Sequence, residues 1–217
     1  MSGRADQPTV LVYDWDNTLV DAWAGITAAL NAAFTAFNLP RWTVEDTRNR
    51  VRVSLRESFP VMFGDRWEDA RDIFYQSLTQ NHLDHVTPMP DVELMLRAGA
   101  CLPQGVVSNK KGDFLRREVS HLGWAAFFGA VIGAGDAAID KPDPAPLLLA
   151  LTQMGITPSR SVWYIGDTAL DMVAARAAGL TAVLLGDAAH DGGVDRAAPD
   201  LHFGGAGDLA SRLCDLT

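Results

Sequence analysis

The sequence predicts an α/β protein, with a mostly parallel sheet covered by helices on both faces and a helical lobe inserted near the N-terminus. Three observations predict it. Short apolar runs alternate with helical patterns along most of the chain. The stretch from 21 to 86 breaks that alternation and carries helical patterns alone. With 217 residues, of which 48% are apolar, the chain can bury one sizeable core and a smaller lobe.

The first apolar run, from Val10 to Tyr13, ends in two aspartates one residue apart, Asp14 and Asp16. A short apolar run bounded by turn residues is typical of a buried strand. Burying an unpaired carboxylate is costly, and two carboxylates so close repel each other. This stretch therefore predicts a bound cation, or chemistry, at the end of the first strand.

Further strand signals and helical patterns alternate after the lobe, which implies right-handed crossovers and a parallel sheet. The predicted strands lie at 105–108, 130–133, 161–165, 181–185 and 201–203. The predicted helices lie at about 112–122, 144–154 and 168–178, with a short helix at the C-terminus.

The inserted lobe is predicted to cover residues 21–86, and residues 1–20 and 87–217 to form the core. Its first helix, Ala22 to Phe37, places apolar residues such as Leu30 and Phe34 on one face. A second helix is predicted at about 67–78. The prolines of the segment 87–90 predict a hinge where the lobe ends.

Composition excludes several classes of function. The net charge of −9 argues against a nucleic-acid or anionic-membrane surface, although a bound metal would still allow a small anionic substrate. The two cysteines, Cys101 and Cys214, make neither a disulfide framework nor a zinc site. No apolar run is long enough to span a bilayer, and the polar N-terminus lacks a signal core. We expect a soluble protein of the reducing cytoplasm.

Ligands of an open parallel sheet collect beyond the carboxyl ends of its strands. An oxygen-rich cluster without thiolates at that edge suits Mg²⁺, and a lysine and hydroxyl groups beside it suit a phosphate. The arrangement favours phosphoryl transfer, in which one aspartate can be the nucleophile and its neighbour the acid and base. The polar residues expected to meet there are Asp14, Asp16, Thr18, Ser108, Asn109, Lys141, Asp167 and Asp171.

These residues resemble the four motifs of the haloacid dehalogenase superfamily of phosphatases, in the same order along nearly the whole chain. The motifs are the stretch from Asp14 to Leu19, Ser108 within 106–110, Lys141 before Pro142, and the stretch from Gly166 to Asp171. Within the superfamily, the chain is most similar to phosphoglycolate phosphatases. The resemblance implies a Rossmann-like catalytic core, and the family's helical cap matches the position of the inserted lobe.

The resemblance also implies a role for each motif residue. Asp14 would be the nucleophile and a metal ligand, and Asp16 would be the acid and base, with its backbone carbonyl on the metal. Asp167 would complete the Mg²⁺ site, and Asp171 would bind the metal directly or through water. The phosphate-binding residues would be Thr18, Ser108, Asn109 and Lys141, the last also counted as catalytic.

The chain departs from the family at two positions of the first motif. Asn17 stands where the family usually has Gly, but Asn tolerates unusual backbone angles, so we expect the loop to keep its shape. Trp15 stands where Phe or Leu is frequent, and we expect it to narrow the leaving-group side of the site.

Four arginines between residues 48 and 56 form a basic cluster in an otherwise acidic protein. A solvated helix face, with the side-chain stems packed on apolar surface, explains such a cluster. The alternative is that one arginine binds a substrate carboxylate as a bidentate fork. Arg48 and Arg52 are the candidates, because their segment resembles the cap region that faces the active site in relatives.

The sequence predicts a Mg²⁺-dependent phosphatase of a small phosphorylated metabolite, with 2-phosphoglycolate as the candidate substrate. Three alternatives stay open at this point. One is a sugar phosphomutase on the same scaffold, and another is a metal-free dehalogenase. The third is a non-catalytic sensor of a phosphorylated ligand. The expected oligomeric state is a monomer or a homodimer, without nucleic-acid or membrane partners.

Overall fold

The computed structural model describes residues 7–51 and 55–216. The chain divides into two compact units. The core unit is drawn from residues 1–20 and 88–217, and the helical unit from residues 21–87.

A six-stranded sheet forms the centre of the core unit, and every pair of neighbouring strands in it is parallel. This confirms the predicted α/β class. The strands of the protein are β1 (Val10–Tyr13), β2 (Val20–Asp21), β3 (Thr87–Pro88), β4 (Gln104–Lys111), β5 (Ala130–Ala134), β6 (Val162–Gly166), β7 (Thr181–Leu185) and β8 (Leu201–Phe203). The order across the sheet is β5-β4-β1-β6-β7-β8, and β2 and β3 pair separately.

Strand β1 lies in the middle of the sheet, between β4 and β6. Tyr13 is in register with Val106 on one side and with Ile165 on the other. The residues that follow these three positions therefore emerge at the same edge of the sheet. The Asp14 N–H extends the pairing by donating to the Ile165 carbonyl at 2.8 Å.

Helices alternate with the strands of the core unit, as the sequence predicts. Apolar residues of the helices that follow β5 and β6, such as Leu147 and Met172, pack on buried strand residues such as Val12 and Tyr164. None of the described helices combines the length and apolar character that a membrane span requires. The helices of the core unit are α5 (Val92–Ala98), α6 (Gly112–His121), α7 (Ala145–Gln153), α8 (Ala169–Ala177), α9 (Val194–Ala197) and α10 (Ala206–Cys214).

The helical unit has its own aromatic core, in which Phe34, Phe59, Phe63 and Phe74 are buried. The sequence predicts two helices here, whereas residues 21–51 and 55–87 contain four α-helices: α1 (Trp23–Ala36), α2 (Val44–Arg50), α3 (Leu55–Phe63) and α4 (Trp67–His85). Helix α2 is short and is stabilised by a capping box between Thr43 and Asp46. Pro60 lies inside α3, and an internal proline usually indicates a helix break.

Candidate active site

The two aspartates that follow β1 contact different lysines. Asp14 Oδ1 lies 2.6 Å from Nζ of Lys141, and Asp16 Oδ1 lies 2.6 Å from Nζ of Lys110. Asp14 is buried, whereas Asp16 is only partly buried. Asp14 and Asp16 therefore have different electrostatic environments.

Asp14 belongs to a carboxylate cluster formed by Asp14, Asp167 and Asp171. Each side chain is buried and offers one oxygen, and these oxygens lie within 4.8 Å of one another. Lys141 lies between two members, because its Nζ also donates to Asp171 Oδ1 at 2.8 Å. With every group ionised, the three carboxylates and the one ammonium leave a formal excess of two negative charges.

Burial in this cluster changes the proton affinity of its members. Burial raises the pKa of Asp14 to about 8; Lys141 opposes the shift, and Asp171 and Asp167 add to it. Burial alone would lower the pKa of Lys141, but Asp14 and Asp171 outweigh it and raise that pKa well above the ordinary value. A further positive charge beside Asp14 would act as Lys141 does and favour the carboxylate form.

The carboxylate cluster fits a divalent cation that prefers oxygen ligands. Mg²⁺ matches both the donor type and the formal excess of two negative charges. Asp167 Oδ2 is buried and makes no hydrogen bond of good geometry within the described residues, although Nε2 of His190 lies 3.1 Å away. The residues present are therefore suitable for Mg²⁺. The Asp16 carboxylate is not a member of the cluster.

Lys141 is positioned by Asn109 and Tyr164. The Asn109 side chain donates from Nδ2 to the Lys141 carbonyl at 2.9 Å and accepts from the Lys141 N–H at 3.0 Å. Tyr164 accepts from Lys141 Nζ at 2.8 Å and donates to the Val107 carbonyl at 2.9 Å. Both ends of the Asn109 amide are thus engaged with the backbone of Lys141.

Thr18 and Ser108 are both buried at the same edge of the sheet. The Thr18 hydroxyl donates to Asp167 Oδ1 at 3.1 Å, so in this structure its proton orients a carboxylate instead of a phosphate. Ser108 accepts from the Lys110 N–H at 3.1 Å, which leaves its own proton available for a ligand oxygen.

Asp171 caps helix α8 in addition to its contact with Lys141. Its Oδ2 accepts from the Thr168 N–H at 3.1 Å and from the Thr168 hydroxyl at 2.6 Å, completing a capping box. One carboxylate therefore caps the helix and also contacts Lys141.

The two departures in the first motif have different outcomes. Asn17 has φ 64°, the left-handed region in which Gly and Asn are most easily accommodated. The Trp15 ring is directed into the core, toward α6 and Trp124. The ring is fully buried, packs edge-on against Trp124 with centroids 5.8 Å apart, and donates from Nε1 to Glu118 at 2.6 Å.

The candidate arginines belong to the helical unit. Arg48 lies 3.5 Å from an Asp21 carboxylate oxygen and is half exposed. Its guanidinium also lies 6.0 Å from the centre of the Trp23 ring. Arg52 falls outside the described residues.

Sequence reasoning gave no role to four residues of this region, namely Tyr164, Lys110, Glu118 and His190. A signal existed for Glu118, because it occupies a position on the face of α6 that buries Phe114, Leu115 and Val119. A signal also existed for Tyr164, since a tyrosine hydroxyl in a buried strand needs a partner. No sequence signal identifies His190, which lies in a short 3₁₀ helix, Ala189–Asp191, after β7.

Comparison with known proteins defines the family. The model of the family described as haloacid dehalogenase-like hydrolase matches residues 11–185, which include every residue of the carboxylate cluster. The chain belongs to this family. The resemblance inferred from the four motifs is therefore confirmed.

The chain is also similar to several proteins named phosphoglycolate phosphatase. It is 32% identical to one from Xylella fastidiosa over 194 residues, 85% of this chain and 82% of that protein. It is 29% identical to one from Yersinia pseudotuberculosis over 179 residues, 78% of this chain and 77% of that protein. The family and these relatives indicate a phosphoric monoester hydrolase.

Solved structures show the same fold. A haloacid dehalogenase-like hydrolase from Streptococcus pneumoniae superposes with a TM-score of 0.82 at 21% identity, covering 94% of this chain and 97% of that chain. A hydrolase of the haloacid dehalogenase superfamily from Ehrlichia chaffeensis superposes with a TM-score of 0.67 at 26% identity, covering 97% of this chain and 98% of that chain.

Proposed function

We propose that this chain is a Mg²⁺-dependent phosphatase that hydrolyses a small phosphate monoester through an aspartyl-phosphate intermediate on Asp14. The observation that carries the proposal is the contact of buried Asp14 with Lys141 inside the carboxylate cluster. A carboxylate used as a nucleophile toward a phosphate dianion needs adjacent positive charge, since the two anions otherwise repel each other.

In the first step, a carboxylate oxygen of Asp14 bonds to phosphorus while the bond from phosphorus to the ester oxygen breaks. Asp16 gives its proton to that ester oxygen, so the product alcohol leaves uncharged. Lys141 and Ser108 hold the phosphoryl oxygens during the transfer. Asn109 contributes by fixing the backbone at Lys141.

In the second step, Asp16 is a carboxylate and takes a proton from water. The water oxygen bonds to phosphorus, and the bond from phosphorus to Asp14 breaks. Inorganic phosphate and the free Asp14 carboxylate result, so the enzyme returns to its starting state.

Mg²⁺, when held by Asp14, Asp167, Asp171 and the Asp16 backbone carbonyl, would supply positive charge that offsets the negative charge on the transferring group. Thr18 supports this arrangement, because its hydroxyl fixes the orientation of Asp167. The thiol of Cys101 is free and exposed, which is compatible with the reducing cytoplasm that we propose as the location.

We take 2-phosphoglycolate as the candidate substrate, because the curated relatives are named for it. Its carboxylate requires a positively charged side chain that binds it, in addition to the phosphate site. We propose Arg48 and Arg52 as the residues that bind this carboxylate, because a guanidinium can bind a carboxylate through two parallel hydrogen bonds. The helical unit that carries Arg48 would act as the cap.

The deciding experiment measures phosphate release from a panel of small phosphate monoesters, with Mg²⁺ and with EDTA. We expect release that depends on Mg²⁺, highest for 2-phosphoglycolate, and lost in Asp14→Asn. Transfer of the phosphoryl group back to a sugar phosphate would indicate a phosphomutase instead. Activity that survives EDTA, or Asp14→Asn with wild-type turnover, would overturn the proposal.

A further inference from the structure

A buried polar network links the loop after β1 to helix α6. Its members are Trp15, Glu118, Lys110 and Asp16, and we call it the Trp15 network. Trp15 Nε1 donates to Glu118 Oε2 at 2.6 Å. Lys110 Nζ donates to both Glu118 oxygens, at 2.8 and 2.6 Å, and lies 2.6 Å from Asp16 Oδ1.

Burying the charged side chains of this network is unfavourable for the stability of the fold. Glu118 is 2% exposed, and its position on the buried face of α6 would ordinarily be apolar. Replacing a buried ion pair with apolar side chains is often neutral or stabilising, so stability by itself is weak grounds for keeping one. The far end of the network, Asp16, is only partly buried and lies in the loop after the first strand, which ends at Tyr13.

We infer that the Trp15 network positions the Asp16 carboxyl for proton transfer to the leaving group. Glu118 holds Lys110, and Lys110 occupies Asp16 Oδ1. The other oxygen, Oδ2, is then the one that carries the proton toward the ester oxygen. Trp15, Glu118 and Lys110 are positioning residues. Of the four members of the network, only Asp16 touches the reacting atoms. The inference rests on the proposed phosphatase function.

Trp15 also shapes the loop that carries Asp16. Its backbone carbonyl accepts from the N–H groups of Leu19 and Val20, at 2.9 and 3.1 Å. Its ring is locked by burial and by the edge-on contact with Trp124. One residue therefore fixes the turn through its backbone and the position of Glu118 through its indole N–H.

The test compares two leaving groups. An alkyl phosphate releases an alkoxide that needs a proton, whereas p-nitrophenyl phosphate releases a phenolate that leaves without one. Lys110→Met combined with Glu118→Gln removes both charges together, and the Gln oxygen can still accept from Trp15. The comparison uses kcat/KM, which reports the phosphoryl transfer and not the later attack of water on the phosphoenzyme. We expect kcat/KM to fall about 100-fold for the alkyl ester and less than about 3-fold for p-nitrophenyl phosphate.

Trp15→Phe is the second variant, because it keeps an aromatic ring against Trp124 and removes only the N–H. We expect the same selectivity with a smaller loss, about 5-fold for the alkyl ester. The matched control is Arg116→Met with Asp136→Asn, which removes a 2.7 Å ion pair that also involves α6. We expect the control to leave both rates unchanged.

Equal losses for the two esters would overturn the inference and make the network merely structural, as would no loss for either. The proposed function fails differently, because then the wild-type enzyme releases phosphate from neither ester. Thermal melts of each variant identify any that fails to fold, and Trp15→Phe keeps the test available if the double variant does.

Discussion

Asp14 and Asp16 stand one residue apart but contact different groups. Asp14 faces Lys141 in the buried carboxylate cluster, and Asp16 faces Lys110 at the end of the Trp15 network. The sequence predicts which residues converge, because polar residues after parallel strands meet at one edge. It does not predict the partners of short polar side chains. Thr18 and Asn109 are expected to bind phosphate, yet they hydrogen-bond to Asp167 and to the Lys141 backbone.

At this scale, Asn109→Ala tests whether Asn109 acts through Lys141. The change removes both hydrogen bonds to the Lys141 backbone, and we expect a loss of stability of about 1–2 kcal/mol. We also expect kcat/KM to fall about 10-fold, because a small displacement of a catalytic group is costly. Urea denaturation and steady-state kinetics measure the two effects. Thr152→Ala, which removes a local bond on the surface of α7, is the control. Unchanged kinetics in Asn109→Ala would contradict the assignment.

Among the elements, those of the core unit follow the sequence closely. Strand β7 has its predicted bounds, and helix α8 begins and ends within one residue of its own predicted bounds. The periodicity of buried residues is strong there. Four of the described helices are not predicted, namely α2, α3, α5 and the four-residue α9. Helices α2 and α5 have seven residues each, too few for a clear period, and α3 contains Pro60.

Strand β6 and helix α8 approach each other closely at Gly166. A Cβ added there would lie 2.5 Å from both Cβ and Cγ of Asp171, so the substitution Gly166→Ala must displace that carboxylate. We expect activity to fall at least about 100-fold, because Asp171 contacts Lys141 and belongs to the carboxylate cluster. Phosphate release and a thermal melt measure the outcome. Gly205→Ala, whose Cβ would enter open space, should keep full activity. An active Gly166→Ala would show that Asp171 is dispensable.

For the whole molecule, charge is the dominant property. The chain has a net charge of −9, and two of the three buried carboxylates of the cluster contact Lys141. Ionising all three without a cation is unfavourable, as the raised pKa of Asp14 reflects. Neither the burial of each group nor the sharing of Lys141 can be predicted from residue order alone, because both depend on how the strands assemble.

Mg²⁺ should therefore stabilise the folded protein as a ligand. At about 100 times its Kd, a ligand that binds only the native state adds about 2.7 kcal/mol. For a chain of this length, we expect Tm to rise by roughly 5–10 °C. Differential scanning calorimetry in EDTA and in Mg²⁺ measures the shift. Asp167→Asn should abolish most of it, while Asp208→Asn, an exposed carboxylate on α10, should not. An identical rise of Tm in wild type and Asp167→Asn would show that Mg²⁺ binds elsewhere.

The most direct measurement traps the phosphoryl group on the protein. In Asp16→Asn, p-nitrophenyl phosphate can still transfer its phosphoryl group, because p-nitrophenolate leaves without a proton. Water attack, however, lacks its base. We predict a burst of one p-nitrophenolate per enzyme molecule and, after acid quench, mass-spectrometric detection of the phosphoryl group on Asp14. A variant that turns over with no phosphoenzyme, or that carries the phosphoryl group at another residue, would contradict Asp14 as the nucleophile.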